Sequence, residues 1–395
     1  AYAGWLRRLL EREFPRARLE GLTTSADLKR SFSGLYTRAC LQDGAHWWAI
    51  LGVNGGETAA VVDGLLTYAL VWLDWNRQRF PERAWAGLHL FLPQGRVATT
   101  AARLAGLNRL RVRVKLTATD EDAFAGQPVD AGELGNLDTH LAPARWVEAV
   151  LAQESSAVER LRALEPDAID IVVPAGRREL VLRFRGLAFA CAAGGQVSFG
   201  LEGKQQRLTE ENFSALASLV ERLQSERRAG GSPRSPLYRA QAERWLESLV
   251  LAAPQSLDPR LDPRLLYRQV PAFSGEERGV ADLLGVTREG QLLVLELKAS
   301  SDIHLPLQGL DYWLRVRWHH ERDALASAGY FTGIKLKPQA PELLLVSPDL
   351  EFHPTTEALC QYLAPEVKVT LLGLNQDWRR QLKVTFRHRA SERRP

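Results

Sequence analysis

The sequence predicts a multidomain α/β protein, and three observations lead there. The chain is 395 residues long, more than one typical core accommodates. Two stretches place an apolar strand-like run, a long apolar helix and a second strand-like run in succession, as an α/β layer does. The segment RRAGGSPRSP (227–236) combines Gly, Ser, Pro and charge with no periodic apolar pattern, which marks a linker. The expected division is residues 1–146, 147–230 and 231–395.

The first region opens with an amphipathic helix from Trp5 to Phe14. Strand HWWAILGV, helix ETAAVVDGLLTYALVWLDWNRQRF and strand GLHLFLP follow. NRLRVRVK (108–115) alternates basic and apolar residues, as a half-exposed strand would, and Asp120 to Leu141 reads as a long loop. In the second region, helix WVEAVLAQESSAVERLRAL precedes three strand candidates, IDIVV, ELVLRFRGLAFAC and QVSFGLE. Pro-Ala-Gly and Ala-Gly-Gly turns between them suggest a β-meander. A helix capped by Thr209 follows. The third region begins with helix YRAQAERWLESLV, then strands around YRQVPAF, GVADLLGV and QLLVLELKA, helix LPLQGLDYWLRVRWHHERDAL and strand ELLLVSP.

Composition narrows the class. Apolar residues make up 45% and charged residues 25% of the chain, ordinary for a soluble globular protein. No apolar run approaches the roughly 20 residues that span a bilayer. The opening helix lacks the apolar core and cleavage site of a signal peptide. A soluble, cytoplasmic protein without a membrane partner is expected. Cys40, Cys191 and Cys360 lie far apart and read as buried thiols, not as a disulfide framework or zinc site. The absence of methionine, with many Ala, Arg and Leu, points to a skewed composition. A net charge of +4 and a pI near 9.0 suit a polyanionic partner without requiring one. The basic run RRQLKVTFRHRASERRP is either a phosphate-holding tail or a solvated end.

The chemistry concentrates in GVADLLGVTREGQLLVLELKA. Two strands flank the turn Thr287-Arg288-Glu289-Gly290, a hairpin signal. Asp282 sits on the first strand; Glu296 and Lys298 sit on the second and share a face, because side chains alternate. Hairpin pairing brings Asp282 beside Glu296, so two carboxylates and an ammonium converge. Two carboxylates offer hard oxygen ligands to Mg²⁺ or Mn²⁺, an ion that polarises a phosphodiester. Lys298 can orient the attacking water or balance transition-state charge. An ExK triplet is common on solvated strands. The strongly apolar LLVLEL context argues against that reading here, since a lone buried Glu is costly.

These residues resemble the PD-(D/E)XK nuclease superfamily, in which a helix acid precedes an Asp on one strand and (D/E)xK on the next. Asp282 resembles the first strand motif and Glu296-Leu297-Lys298 the second. Gln308-Gly309-Leu310-Asp311-Tyr312 resembles the Q-x3-Y motif of the RecB-like branch, Gln308 and Tyr312 sharing one helical face. The resemblance spans roughly residues 243–318 and departs at Ala281, where the family often has proline. It implies a restriction-endonuclease-like core, a mixed sheet flanked by helices. It implies metal held by Asp282, Glu296 and either Glu243 or Glu247, a supporting role for Gln308 near the metal, and Tyr312 placing the DNA. The function it implies is metal-dependent hydrolysis of phosphodiester bonds, most naturally in DNA. An inactive nucleic-acid-binding protein on the same fold and an RNA or nucleotide phosphodiesterase are the alternatives.

Neighbouring residues are less telling. Asp302 reads as a helix cap more readily than as a metal ligand, and His304 more readily as structural than as a phosphate contact. Trp313 and Trp318 read as core before base-stacking platforms. Arg315, the candidate substrate contact, and Arg317 read equally as solvated or phosphate-facing. His319-His320 is a poor metal pair. No P-loop, GxGxxG, GxSxG or HExxH motif is present. The strand–helix–strand of residues 45–95 parallels that of 290–347 but has no ExK. It is either a degenerate nuclease-like copy or an unrelated α/β piece.

Overall fold

The computed structural model describes residues 1–131, 139–141, 143–152, 156–174, 177–268, 270, 272–273 and 282–390, with Asp282 described by its backbone alone. Helix α1 (Tyr2–Glu13) lays Leu6, Leu9 and Leu10 on one face of a six-stranded sheet. The sheet runs in order β1 (Arg18–Thr23), β2 (Tyr36–Asp43), β3 (His46–Val53), β4 (Trp85–Pro93), β5 (Arg113–Asp120) and β6 (Ala125–Pro128). β3, β4 and β5 pair in parallel and the outer pairs are antiparallel. Parallel pairs need crossovers. These are α2 (Ala59–Arg79), capped by Thr58 through Val61 N, and α3 (Ala98–Leu104).

The middle region carries β7 (Thr139–His140), α4 (Ala144–Leu151) and α5 (Ser156–Arg162). An antiparallel meander of β8 (Ile169–Val172), β9 (Glu179–Phe184), β10 (Leu187–Ala193), β11 (Gln196–Phe199) and β12 (Gln206–Arg207) follows, then α6 (Phe213–Glu226). The last region begins with α7 (Pro236–Arg239), α8 (Ala242–Ala252) and α9 (Pro254–Leu257). Then come β13 (Leu261–Arg268), β14 (Ala272–Phe273, paired with β7), β15 (Asp282–Thr287) and β16 (Leu292–Leu297). Helices α10 (Leu305–His320) and α11 (Ala324–Ser327) lead to β17 (Glu342–Pro348), α12 (Thr356–Cys360), β18 (Lys368–Leu374) and β19 (Val384–Arg389).

The second six-stranded sheet, β13-β15-β16-β17-β18-β19, repeats the first in strand order and in its antiparallel and parallel pairs. The helices recur in the same places. The repeats pack reciprocally, α10 on α3 and α2 on α12, around one shared apolar core. Leu107 and Leu363, which follow the corresponding helices α3 and α12, bridge one another. Asn108 N donates to Tyr362 O and Ala364 N to Gly106 O, both at 2.8 Å. Such self-complementary contact is that of a twofold interface. Arg103 of α3, 5% exposed, closes it with a two-pronged pair to Asp311 of α10 at 2.8 and 2.7 Å.

Several local expectations required correction. The strand expected at 108–115 lies at Arg113–Asp120, because Asn108 turns back to reach Tyr362. The loop expected from Asp120 to Leu141 contains β6, an edge strand ending in Pro128. β1 and β2 were not foreseen. The run ELVLRFRGLAFAC is a hairpin, its turn made by Arg185 and Gly186 at φ 45° and 83°. Gly186 lies so close to Arg244 that a Cβ would sit 2.3 Å from its carbonyl. α6 begins at Phe213, since the Asn212 side chain accepts from Thr209 N at 2.8 Å. The helix expected over 238–250 breaks at Ala240–Gln241. There Arg227, 0% exposed at the start of the expected linker, donates to the carbonyls of Phe184, Arg185, Leu237, Ala240 and Gln241. Burial, then Arg379 and Arg185, press its pKa down to about 9, still charged at neutral pH.

Two outcomes are expected. A Cβ at Gly106 would meet Leu310 at 2.5 Å, so Gly106→Val should cost about 1–3 kcal/mol by overpacking. Adding Leu310→Ala should return part of that loss in urea unfolding, and strict additivity would refute the contact. His89, 5% exposed, has its pKa pushed down to about 3 by burial and then by Lys115. Its neutral form therefore contributes stability above about pH 6.5 that is lost as pH falls toward 3. The wild type should lose about 3 kcal/mol more than His89→Asn between pH 7 and 4, and parallel pH profiles would contradict this.

Candidate active site

Strand β16 is a run of leucine and valine with one acid in it. Leu293, Leu295 and Leu297 face the core under α8, whereas Leu292, Val294 and Glu296 face the core under α10. β15 pairs with β16 in the expected hairpin, and Asp282 stands directly opposite Glu296. Gly290, at φ 88°, makes the turn against the Lys335 carbonyl, where a Cβ would sit 2.1 Å away. β17 covers the other edge of β16, placing Leu345 beside Glu296. Glu296 is thereby sealed at 0% exposure.

Lys298 leaves the end of β16, its N–H bonded to Val346 O at 2.9 Å. Its Nζ lies 3.8 Å from Glu296 Oε1 and 3.3 Å from Asp302 Oδ2. Burial alone would lower the Lys298 pKa. The charges of Glu296, Asp302 and Glu243 outweigh burial and move it upward, so the ammonium persists at neutral pH. The second Asp302 oxygen accepts from His304 N at 2.8 Å, ahead of α10. Asp302 thus shapes the turn ahead of α10 and is not the helix cap expected, since His304 is the N-cap and makes no side-chain cap bond; it also holds Lys298, which the sequence did not reveal because the two are joined by a turn. His304 Nδ1 reaches Thr67 of the first repeat at 3.0 Å, a structural contact.

The two helix acids separate. Glu247, 2% exposed, faces Arg268, whose Nε lies 2.6 Å from its Oε1. Glu243, half-buried one turn earlier, acts on Lys298. Gln308 lies on the first turns of α10 with its Oε1 buried and lacking a hydrogen-bond partner among the described residues. Tyr312 is 0% exposed, and its hydroxyl exchanges hydrogen bonds with the Val270 backbone. It secures the chain between β13 and β15 and presents no surface to a substrate in this conformation. Arg315 is half-buried and donates to Asp311 O at 2.7 Å. Trp313 is core, its Nε1 bonded to Pro341 O at 2.7 Å, and Trp318 stacks under Arg322. His319 and His320 point apart, to Thr139 and to Lys337 O. Of the basic tail, Arg387 pairs with Asp258 at 3.0 Å and residues 391–395 lie outside the described chain.

The first repeat shows what a site without this chemistry looks like. Pro93 and Pro348 end corresponding strands, and Leu51 and Glu296 pair three residues before each. On that register Leu51 corresponds to Glu296, Val53 to Lys298 and Arg38 to Asp282. Arg38 is 4% exposed and lies over Phe32 and Trp72, a structural cation.

Carboxylate and amide oxygens are the donor set a hard divalent cation takes, and the buried, unpartnered Gln308 oxygen fits such a site. Among the described residues no group of three or more His, Cys, Asp or Glu is placed to hold a metal; the Asp282 side chain is not among those residues. No described helix is long and apolar enough to cross a membrane. No protein-family model, curated protein or solved structure matches the chain.

The separation of the helix acids is measurable. Glu247→Gln removes the buried one of the two acids that Arg268 holds, leaving Asp170, and should cost about 1–3 kcal/mol. Glu243→Gln should stay within about 1 kcal/mol of wild type. Thermal melting of both variants checks the contrast, and equal losses would refute it.

Proposed function

We propose that the second repeat is a divalent-metal-dependent nuclease of the PD-(D/E)XK kind, acting on phosphodiester bonds, most naturally those of DNA. The observation that carries this reading is the wholly buried Glu296 opposite Asp282 with the Lys298 ammonium 3.8 Å away. A buried carboxylate at the mouth of a leucine strand is expensive as mere surface decoration, and its first-repeat counterpart is Leu51. The order helix acid, strand Asp, strand Glu-x-Lys and helix Gln also follows the chain in three dimensions, from α8 through β15 and β16 to α10.

Asp282, Glu296 and Glu243 would hold Mg²⁺ or Mn²⁺, with Gln308 beside them. Bound there, the ion would polarise the scissile phosphodiester. Lys298 stays protonated and can hold a nucleophilic water by hydrogen bond or balance charge on the phosphoryl oxygens. Asp302 fixes the Lys298 side chain. Glu247 and Arg268 keep α8 at the distance that presents Glu243.

Purified protein incubated with Mg²⁺ or Mn²⁺ and plasmid, linear, single-stranded or RNA substrates tests the reading. Wild type should cleave DNA, and Lys298→Ala should lower the rate by about 10²–10³-fold with substrate affinity kept. Cleavage unaffected by the substitution sinks the mechanism. Wild-type binding without cleavage would indicate an inactive binding protein, and preferential hydrolysis of RNA or nucleotides a different phosphodiesterase.

A further inference from the structure

Where α8 meets the middle sheet, three arginines gather beside the Glu243–Lys298 end of the site. Arg268 of β13 engages both nearby acids, with Nε 2.6 Å from Glu247 Oε1 and Nη2 2.5 Å from Asp170 Oδ2. Arg183 stands across from Asp170 in the β8–β9 ladder and is 8% exposed. Among the described residues its side chain forms no hydrogen bond or ion pair. Arg244, half-buried and next to Glu243 on α8, forms none either. Burial, then Arg244, lowers the Arg183 pKa to about 10, so it is charged at neutral pH. A guanidinium carries five donors; Glu247 and Asp170 act on Arg183 through their charge but take none of those donors in a hydrogen bond. An anion with several acceptor oxygens would satisfy the group.

We propose that Arg183 and Arg244 grip a backbone phosphate of the nucleic acid as it runs from the catalytic strand onto the middle sheet, a proposal that rests on the nuclease reading above. Of the nearby acids, Glu247 and the Oδ2 of Asp170 are engaged by Arg268, while Asp170 Oδ1 is buried without a hydrogen-bond partner among the described residues. The position on α8 joins the two sites, since Glu243 faces Lys298 and Arg244 follows it immediately. The middle meander thereby becomes a substrate-holding wall.

Anisotropy of a short labelled oligonucleotide, measured in EDTA from about 50 to about 200 mM salt, tests this apart from catalysis. Arg183→Gln and Arg244→Gln should each weaken binding about tenfold. Each should also reduce the salt slope by about 0.7–0.9, and Arg183→Lys should retain most of the affinity. Arg183→Leu should melt close to the wild-type temperature, because no group among the described residues hydrogen-bonds the Arg183 side chain and Arg268 keeps hold of Glu247 and Asp170. Unchanged affinity and slope in both glutamine variants would overturn the proposal. So would a marked fall in melting temperature of Arg183→Leu with binding intact, which is the signature of a structural residue. Displacement of the oligonucleotide by pyrophosphate at equal phosphate concentration would overturn it in favour of a small-anion site. Absent metal-dependent cleavage by wild type, alongside Arg183-dependent binding, would remove the nuclease reading and leave the phosphate contact supported.

Discussion

A carboxylate with no exposure to solvent, set in a strand of leucines, governs the arrangement of everything near it. Glu296 lies where water does not reach it. Moving an ion out of water costs several kcal/mol even after the protein relaxes. The surroundings answer that cost with the Lys298 ammonium, itself shared with Asp302 and within the field of Glu243. Leu345 of β17 and the apolar residues of β16 keep Glu296 from water, which strengthens its interaction with Lys298.

The duplicated architecture explains how one repeat can carry such a burden. Both repeats have the same sheet order and helix placement, and each packs its crossover helix on the short helix of the other. The first repeat replaces the charged positions with Leu51 and Val53 and turns Arg38 onto aromatic rings. An apolar core of this kind stabilises without desolvation cost. α10 packs against α3 of the first repeat, and the Arg103–Asp311 pair and the Leu107–Leu363 bridge fix the contact.

The middle meander is tied to the second repeat by side chains from sequence positions with no evident signal. Arg227 gathers five carbonyl oxygens where one helix would otherwise run on, and the break it imposes sets where α8 begins. Glu243 and Glu247 inherit their orientation from that start. Gly186 allows the close approach of the meander to α8 that no larger residue would permit.

Period-2 and long apolar patterns in the sequence alone determined the α/β class, the hairpin from Asp282 to Lys298, the meander and the crossover helices, because these patterns reflect local burial. Alternation also placed Glu296 and Lys298 on one face. Other features depended on partners distant along the chain. The edge strand β6 has no apolar alternation to announce it, and the break before α8 arises from a guanidinium a dozen residues upstream. The choice between Glu243 and Glu247 followed from where Arg268 and Lys298 came to rest, and the buried place of Tyr312 from its bond to Val270. The two repeats share one topology while carrying different residues, since strand order depends on which faces are apolar and not on which side chains make them so. Tertiary packing therefore decided what each polar residue faces, and with it which acids are free for chemistry and which only hold the fold.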